Sequence, residues 1–225
     1  SIGGAGIVTV GNQDVGKANI CLGGRDIELS VTKPETDLFA DLNCAVSERN
    51  GESVQTVCDW LRWHQKTHGL QGAVILDRSD PGGTDIFAED LAKMLKQAKG
   101  SGHKLTVVVL AAPVPLGKPD IGPESHPMNA PDAPGKDRME QPSPDPWRAP
   151  LGVLNIYELV RHRFLSRARA VMNIDVYDLL PEATGQGGTV FDRAVSAPEG
   201  LVVLSGERVY PWALRKGRMA TFGDH

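Results

Sequence analysis

The chain has 225 residues, 40% of them hydrophobic and 23% charged, with a formal net charge of −4. Such a composition supports a buried core and excludes a disordered chain, and the mild acidity (pI about 5.9) argues against a general nucleic-acid binder. No apolar run approaches the roughly 18–20 residues that span a bilayer, and the first residues lack the pattern of a signal peptide, so the expectation is a soluble cytoplasmic protein without a transmembrane segment.

Residues 1–36 read as β. Gly6 to Val10 and Ile20 to Leu22 are short apolar runs, Ile27 to Val31 alternates, and Gly11, Gly23-Gly24 and Pro34 punctuate them. The pattern then changes. Leu42 to Val46 reads as a buried strand, followed by a polar loop from Ser47 to Ser53. Val54 to Thr67 has helical periodicity, with Val54, Val57, Cys58, Leu61 and His64 on one face and Gly69 as the C-terminal cap. Ala73 to Leu76 is a second strand ending in Asp77, Ile86 to Ala98 a second helix, and Leu105 to Ala111 a third strand. That order predicts an α/β fold with a mainly parallel sheet flanked by helices.

Eleven of the sixteen prolines fall within residues 113–150, which predicts a long loop inserted into the domain. A helix is expected over about 152–170 and a fourth strand at Val171 to Ile174. A helical turn follows at Val190 to Val195, then a strand at Leu201 to Leu204 that Val209 to Trp212 extends or pairs with. The expected organisation is one domain over 1–225, with a β appendage at 1–40 and the insertion at 113–150. The three cysteines, Cys21, Cys44 and Cys58, are odd in number and widely spaced, so buried free thiols in a reducing compartment are expected.

Two local motifs are weak. Gly11 to Lys17 matches the glycine and lysine positions of a P-loop, but Ala18 stands where a Mg²⁺-holding Ser or Thr belongs, and Gly23-Gly24 interrupts any following helix. A hairpin turn is the expectation there. His64 and His68 have the i, i+4 spacing of a zinc site without the Glu or a third ligand, so a helix-end histidine pair is expected.

The distributed signal is stronger. Asn43 to Asn50 leads into Val57-Cys58-Asp59-Trp60-Leu61-Arg62-Trp63-His64, then His68-Gly69-Leu70, Ala73 to Asp80 and Gly83-Thr84. Val171-Met172-Asn173-Ile174-Asp175-Val176-Tyr177-Asp178-Leu179-Leu180-Pro181 follows much later. Together these segments resemble glycosyltransferases of the GT-A fold, a Rossmann-like architecture, in particular families 2 and 92. The resemblance implies a nucleotide-sugar donor held by Ser47, Glu48, Asn50, Asp77, Ser79 and Asp80, and a glycan or other acceptor. It implies a divalent cation, Mn²⁺ or Mg²⁺, on Asp175 and Asp178, although Tyr177 occupies the place of the second metal-binding Asp. Asp192 is a candidate base on position alone. Tyr210 or Trp212 is a candidate sugar-stacking residue and the terminal His225 a candidate metal ligand. A noncatalytic nucleotide- or carbohydrate-binding module with a degraded metal site, and a P-loop nucleotide hydrolase, are the competing readings.

Overall fold

In chain order the elements are β1 (Gly16–Leu22), β2 (Arg25–Val31), a 3₁₀ turn (Thr36–Phe39), β3 (Asn43–Arg49), α1 (Val54–His68), β4 (Gly72–Asp77), α2 (Thr84–Gln97), β5 (Thr106–Ala111), α3 (Val153–Val160) with a π-helical continuation (Arg161–Leu165), β6 (Ala170–Asn173) and α4 (Val190–Ser196). They come from a computed structural model that describes residues 16–79, 82–97, 104–112, 153–182 and 188–207. The chain divides into two compact units, one of residues 1–40 and 115–167, the other of residues 41–114 and 168–225.

In the first unit β1 and β2 form a two-stranded antiparallel ribbon. Gly23 and Gly24, with φ of 58° and 77°, make its turn, because a tight hairpin needs positive φ at both central residues. Of the Gly11 to Ala18 stretch, Gly16, Lys17 and Ala18 lie inside β1, and Gly11 to Val15, where the turn is expected, lie outside the described residues. A P-loop needs a helix N-terminus at that point, and a strand aims no row of free N–H groups at a phosphate. Cys21 is exposed on this ribbon, which buries almost nothing, whereas Cys44 and Cys58 are buried as expected. Elsewhere in the unit, Glu35 pairs with Arg163 at 3.1 Å and Asp37 with Arg167. Phe39 meets Phe164 edge-on, with ring centroids 6.5 Å apart. The helix expected over 152–170 is α-helical only to Val160 and widens into a π turn before Ser166.

The second unit is built on a four-stranded parallel sheet of order β5-β4-β3-β6. Its strands are the four expected from sequence, within a few residues. Both faces of its middle are buried, as an all-parallel sheet requires. Ala45, Ala73, Ile75 and Met172 point into one core with Trp60 and Leu61 of α1, Phe87 and Leu91 of α2, and Phe191 of α4. Cys44, Val46, Val74 and Leu76, on the alternate face, are buried too. The Leu201 to Leu204 strand does not form. That stretch has no regular structure, and Leu201 and Val203 are exposed. No helix among the described residues is long and apolar enough to cross a membrane.

α1 is bounded by its own sequence. Ser53 Oγ accepts the Thr56 N–H at 3.1 Å at the N-cap. Gly69, at φ 70°, ends it, with its N–H donating to Gln65 O (3.1 Å) and the Leu70 N–H to His64 O (3.2 Å). A Cβ at Gly69 would meet nothing within 4 Å, so a side chain there costs backbone strain alone. Gly69→Ala should therefore destabilise the fold by about 1 kcal/mol, and Gly69→Asn by less. Urea unfolding of the two variants checks this ordering, and equal midpoints would contradict it.

Candidate functional site

β3 runs into α1 and β4 into α2, while β6 pairs with β3 on the side away from β4. The strand order therefore reverses between β3 and β6, and in open parallel sheets ligands generally bind in the crevice outside the carboxyl ends of the strands at such a point. Ser47 and Glu48 lie among the last residues of β3, which runs on to Arg49 where a loop is expected from sequence, and Asp77 ends β4; Asn50, Ser79, Asp175 and Asp178 follow β3, β4 and β6, and the structure sorts the whole set by accessibility. Ser47 and Asp77 are fully buried; Glu48, Asn50 and Ser79 are half-buried; Asp175 and Asp178 are exposed. Asp80 lies outside the described residues, as do Tyr210, Trp212 and His225.

Asp77 is a fastener between strands. The last residues of β3 and β4 are register partners, and Arg49 Nη1 donates to Asp77 Oδ1 at 2.7 Å across that pair. The same nitrogen donates to Ser79 Oγ (2.8 Å), Arg49 Nε donates to Glu52 O (2.7 Å), and the guanidinium lies 3.9 Å from the centre of the Phe87 ring. The Ser79 hydroxyl donates to Asp77 Oδ1 at 2.6 Å, and the Ser79 N–H donates to the same oxygen at 3.2 Å. Burial alone would raise the Asp77 carboxyl. The Ser79 hydroxyl and N–H, Thr84 and Arg49 outweigh it and hold the group below its ordinary value. Thr84 helps without closing a normal hydrogen bond, for Asp77 Oδ2 is buried with no partner.

The loop after β6 has a different support. Tyr177 is 61% exposed, while Val176 beside it is fully buried in the core. Burial of part of its ring, then the neighbouring Glu52 and Asp175 carboxylates, push the Tyr177 phenol up. Further on, α1 takes hold of the backbone. Trp60 Nε1 donates to Asp178 O at 3.0 Å and Trp63 Nε1 to Leu180 O at 2.7 Å. His68 Nε2 lies 3.2 Å from Leu180 O, and the Leu180 N–H donates to His64 Nε2 at 3.2 Å. The partners fix both tautomers: His64 accepts at Nε2 and donates from Nδ1 to Trp60 O (2.8 Å), whereas His68 donates from Nε2. The histidine pair expected as a helix-end feature thus binds the β6 loop. The periodicity had shown which face of α1 was buried; the Trp60, Trp63, His64, His68 spacing of three to four residues was the available signal for a row of ring nitrogens along it.

Asp175 Oδ1 accepts the Tyr177 N–H at 2.9 Å, and the Asp178 N–H donates to Asp175 O at 3.0 Å, so the two aspartates of the expected cation site stand in one turn. Among the described residues no three His, Cys, Asp or Glu side chains converge as a metal-holding group.

Asp192 is not brought to this crevice. It closes a capping box at the start of α4, its Oδ2 accepting the Thr189 N–H at 2.9 Å while Thr189 Oγ1 accepts the Asp192 N–H at 3.3 Å. Arg169, just before β6, bonds Asp192 Oδ1 at 2.7 Å and Asn43 Oδ1, at the start of β3, at 2.8 Å. Asp192 therefore sits at the amino end of the sheet. The Thr189 N–H first, then Arg169 and the Thr189 hydroxyl, draw its carboxyl down to about 2, which suits a cap and not a proton acceptor.

Two consequences are measurable. Removing the charge of the buried pair with Asp77→Asn should cost about 3 kcal/mol of stability. The affinity of the folded fraction for a crevice ligand should stay unchanged, because Asp77 is shielded from solvent. An unaltered unfolding midpoint would show that the pair does not fasten the strands. The second consequence concerns pH. Burial, opposed by the Trp60 carbonyl and assisted by His68, lowers His64 from 6.5 to about 4. The unfolded chain then binds the proton first as pH falls, so stability is full above about 6.5 and declines toward about 4, by about 3 kcal/mol in all. Unfolding at a series of pH values should show this decline in the parent and a flatter profile in His64→Leu; parallel profiles would contradict it.

No family model, no curated protein and no solved structure matches this chain.

Proposed function

We propose that the chain binds a nucleotide-sugar in the crevice between the carboxyl ends of β3 and β6 and transfers the sugar to an acceptor hydroxyl, in the manner of a GT-A glycosyltransferase. The observation that carries this reading is the strand order β5-β4-β3-β6, whose reversal falls between the end of β3, which the resemblance marks as donor-binding, and the end of β6, which it marks as metal-binding. On this reading Glu48, Asn50 and Ser79 supply polar contacts to the nucleoside. An exposed carboxylate of the β6 turn, Asp175 or Asp178, takes the acceptor proton as the nucleoside diphosphate leaves. Asp77 and Ser47 act from beneath, by holding the floor of the crevice. No step is assigned to a resident cation.

A noncatalytic nucleotide-binding module is the second reading, favoured by the engagement of Asp175 in its own turn. Titration calorimetry with UDP, GDP and ADP, with Mn²⁺ and with a chelator, separates the two when paired with an assay for nucleoside diphosphate release from the corresponding sugar nucleotide. Binding of one nucleotide with release is expected of the transferase. Binding without release on any acceptor tried identifies the module, and binding of none of the three sinks both. Asp175→Asn should weaken binding or turnover on the order of tenfold, the scale of one lost hydrogen bond to a charged group.

A further inference from the structure

We propose that α1 is the positioning element of this crevice: the ring nitrogens of Trp60, Trp63, His64 and His68 hold the backbone at Asp178–Leu180 so that the turn before it presents Asp175, Tyr177 and Asp178 in one ready-made geometry. The ligand's identity rests on the nucleotide reading above; the positioning does not. β6 ends at Asn173, and no regular structure follows through Glu182, so the sheet itself does not order the residues that face solvent. Two anchors bracket them. On the near side Val176 is fully buried in the core shared with α1 and α4. On the far side the Leu180 peptide is saturated: its N–H donates to His64, and its carbonyl accepts from both Trp63 and His68. Trp60 adds the Asp178 carbonyl. Between these anchors Tyr177 and Asp178 are exposed.

The four contacts are not equivalent. Three give a proton to a carbonyl, which many donors can do. The fourth takes one, and it needs a neutral imidazole whose Nδ1–H is already committed, as it is here to Trp60 O at 2.8 Å. His64 is therefore the element of the grip least replaceable by another residue, with the exception of a Gln whose Oε1 occupies the Nε2 place. A loop fixed before the ligand arrives need not be ordered at the moment of binding, so loosening this contact should appear as weaker binding as well as faster local opening.

The test compares full-length parent, His64→Leu, His64→Gln and Trp63→Phe by residue-resolved amide hydrogen exchange and by titration with UDP. Trp63 is partly exposed, so its variant retains the fold even where His64→Leu is strongly destabilised. Leu180 and its neighbours in 177–180 should exchange about tenfold faster in His64→Leu and Trp63→Phe, while the amides of Val46 and Val74 in the sheet keep their protection. His64→Gln should restore slow exchange at Leu180. UDP affinity should fall and recover in the same order. Unchanged Leu180 exchange, absence of rescue by Gln, or an equal loss of protection in β3 and β4 in every variant would overturn the proposal. A parent that binds no UDP would overturn the nucleotide reading alone, and the exchange comparison would still decide the positioning role.

Discussion

The buried ion pair between Arg49 and Asp77 is the constraint on which the second unit turns. Both residues end strands, they are partners in the parallel register, and both lie on the face that packs against α1 and α2. A slip of one residue in either strand would send one of them to the opposite face and leave a buried charge alone. The pair therefore fixes register and strand ends together. Phe87 lies against the guanidinium, so α2 is docked by the same side chain that closes the sheet.

From that fixed end the loops leave in set directions. The chain after β3 turns immediately: Asn50 N–H bonds the Glu52 carboxylate, Glu52 O takes Arg49 Nε, and Ser53 caps α1. α1 in turn reaches the loop after β6. A single path of hydrogen bonds thus runs from the ends of the central strands, through the cap of one helix, to the turn that carries Tyr177. The amino end of the sheet is tied separately by Arg169 between Asn43 and Asp192. Each end of the sheet is thus tied by a charge pair, and the carboxyl end also exposes Asp175, Tyr177 and Asp178.

Hydrophobic periodicity made the sheet legible. Leu42 to Val46, Ala73 to Leu76 and Leu105 to Ala111 are near-continuous apolar runs because both faces of a parallel strand are covered, and such runs read clearly without any neighbour in view. Leu201 to Leu204 has the same composition and forms no strand, since apolar character gives no information on whether a partner edge is within reach. The site was less legible. Ser47 and Asp77 were identified by their place after a strand, but whether such a polar group faces water or the core depends on residues far away in sequence, here Arg49 and Phe87 for Asp77. Asp192 illustrates the same point from the other side: a Thr-x-x-Asp spacing is a cap signature, and it outweighs position when read as such.

The hydrogen bonds of α1 to Asp178 and Leu180 are all made to peptide groups, and the side chains of the held segment that pack on the core are Leu179 and Leu180 rather than Tyr177 and Asp178. The surface at 177 and 178 is thus decoupled from what secures it. Substitutions there can exchange an aromatic for an acid, or an acid for an amide, and alter what the crevice recognises while the underlying frame persists. The chemistry of this turn can therefore change while the helix beneath it stays as it is.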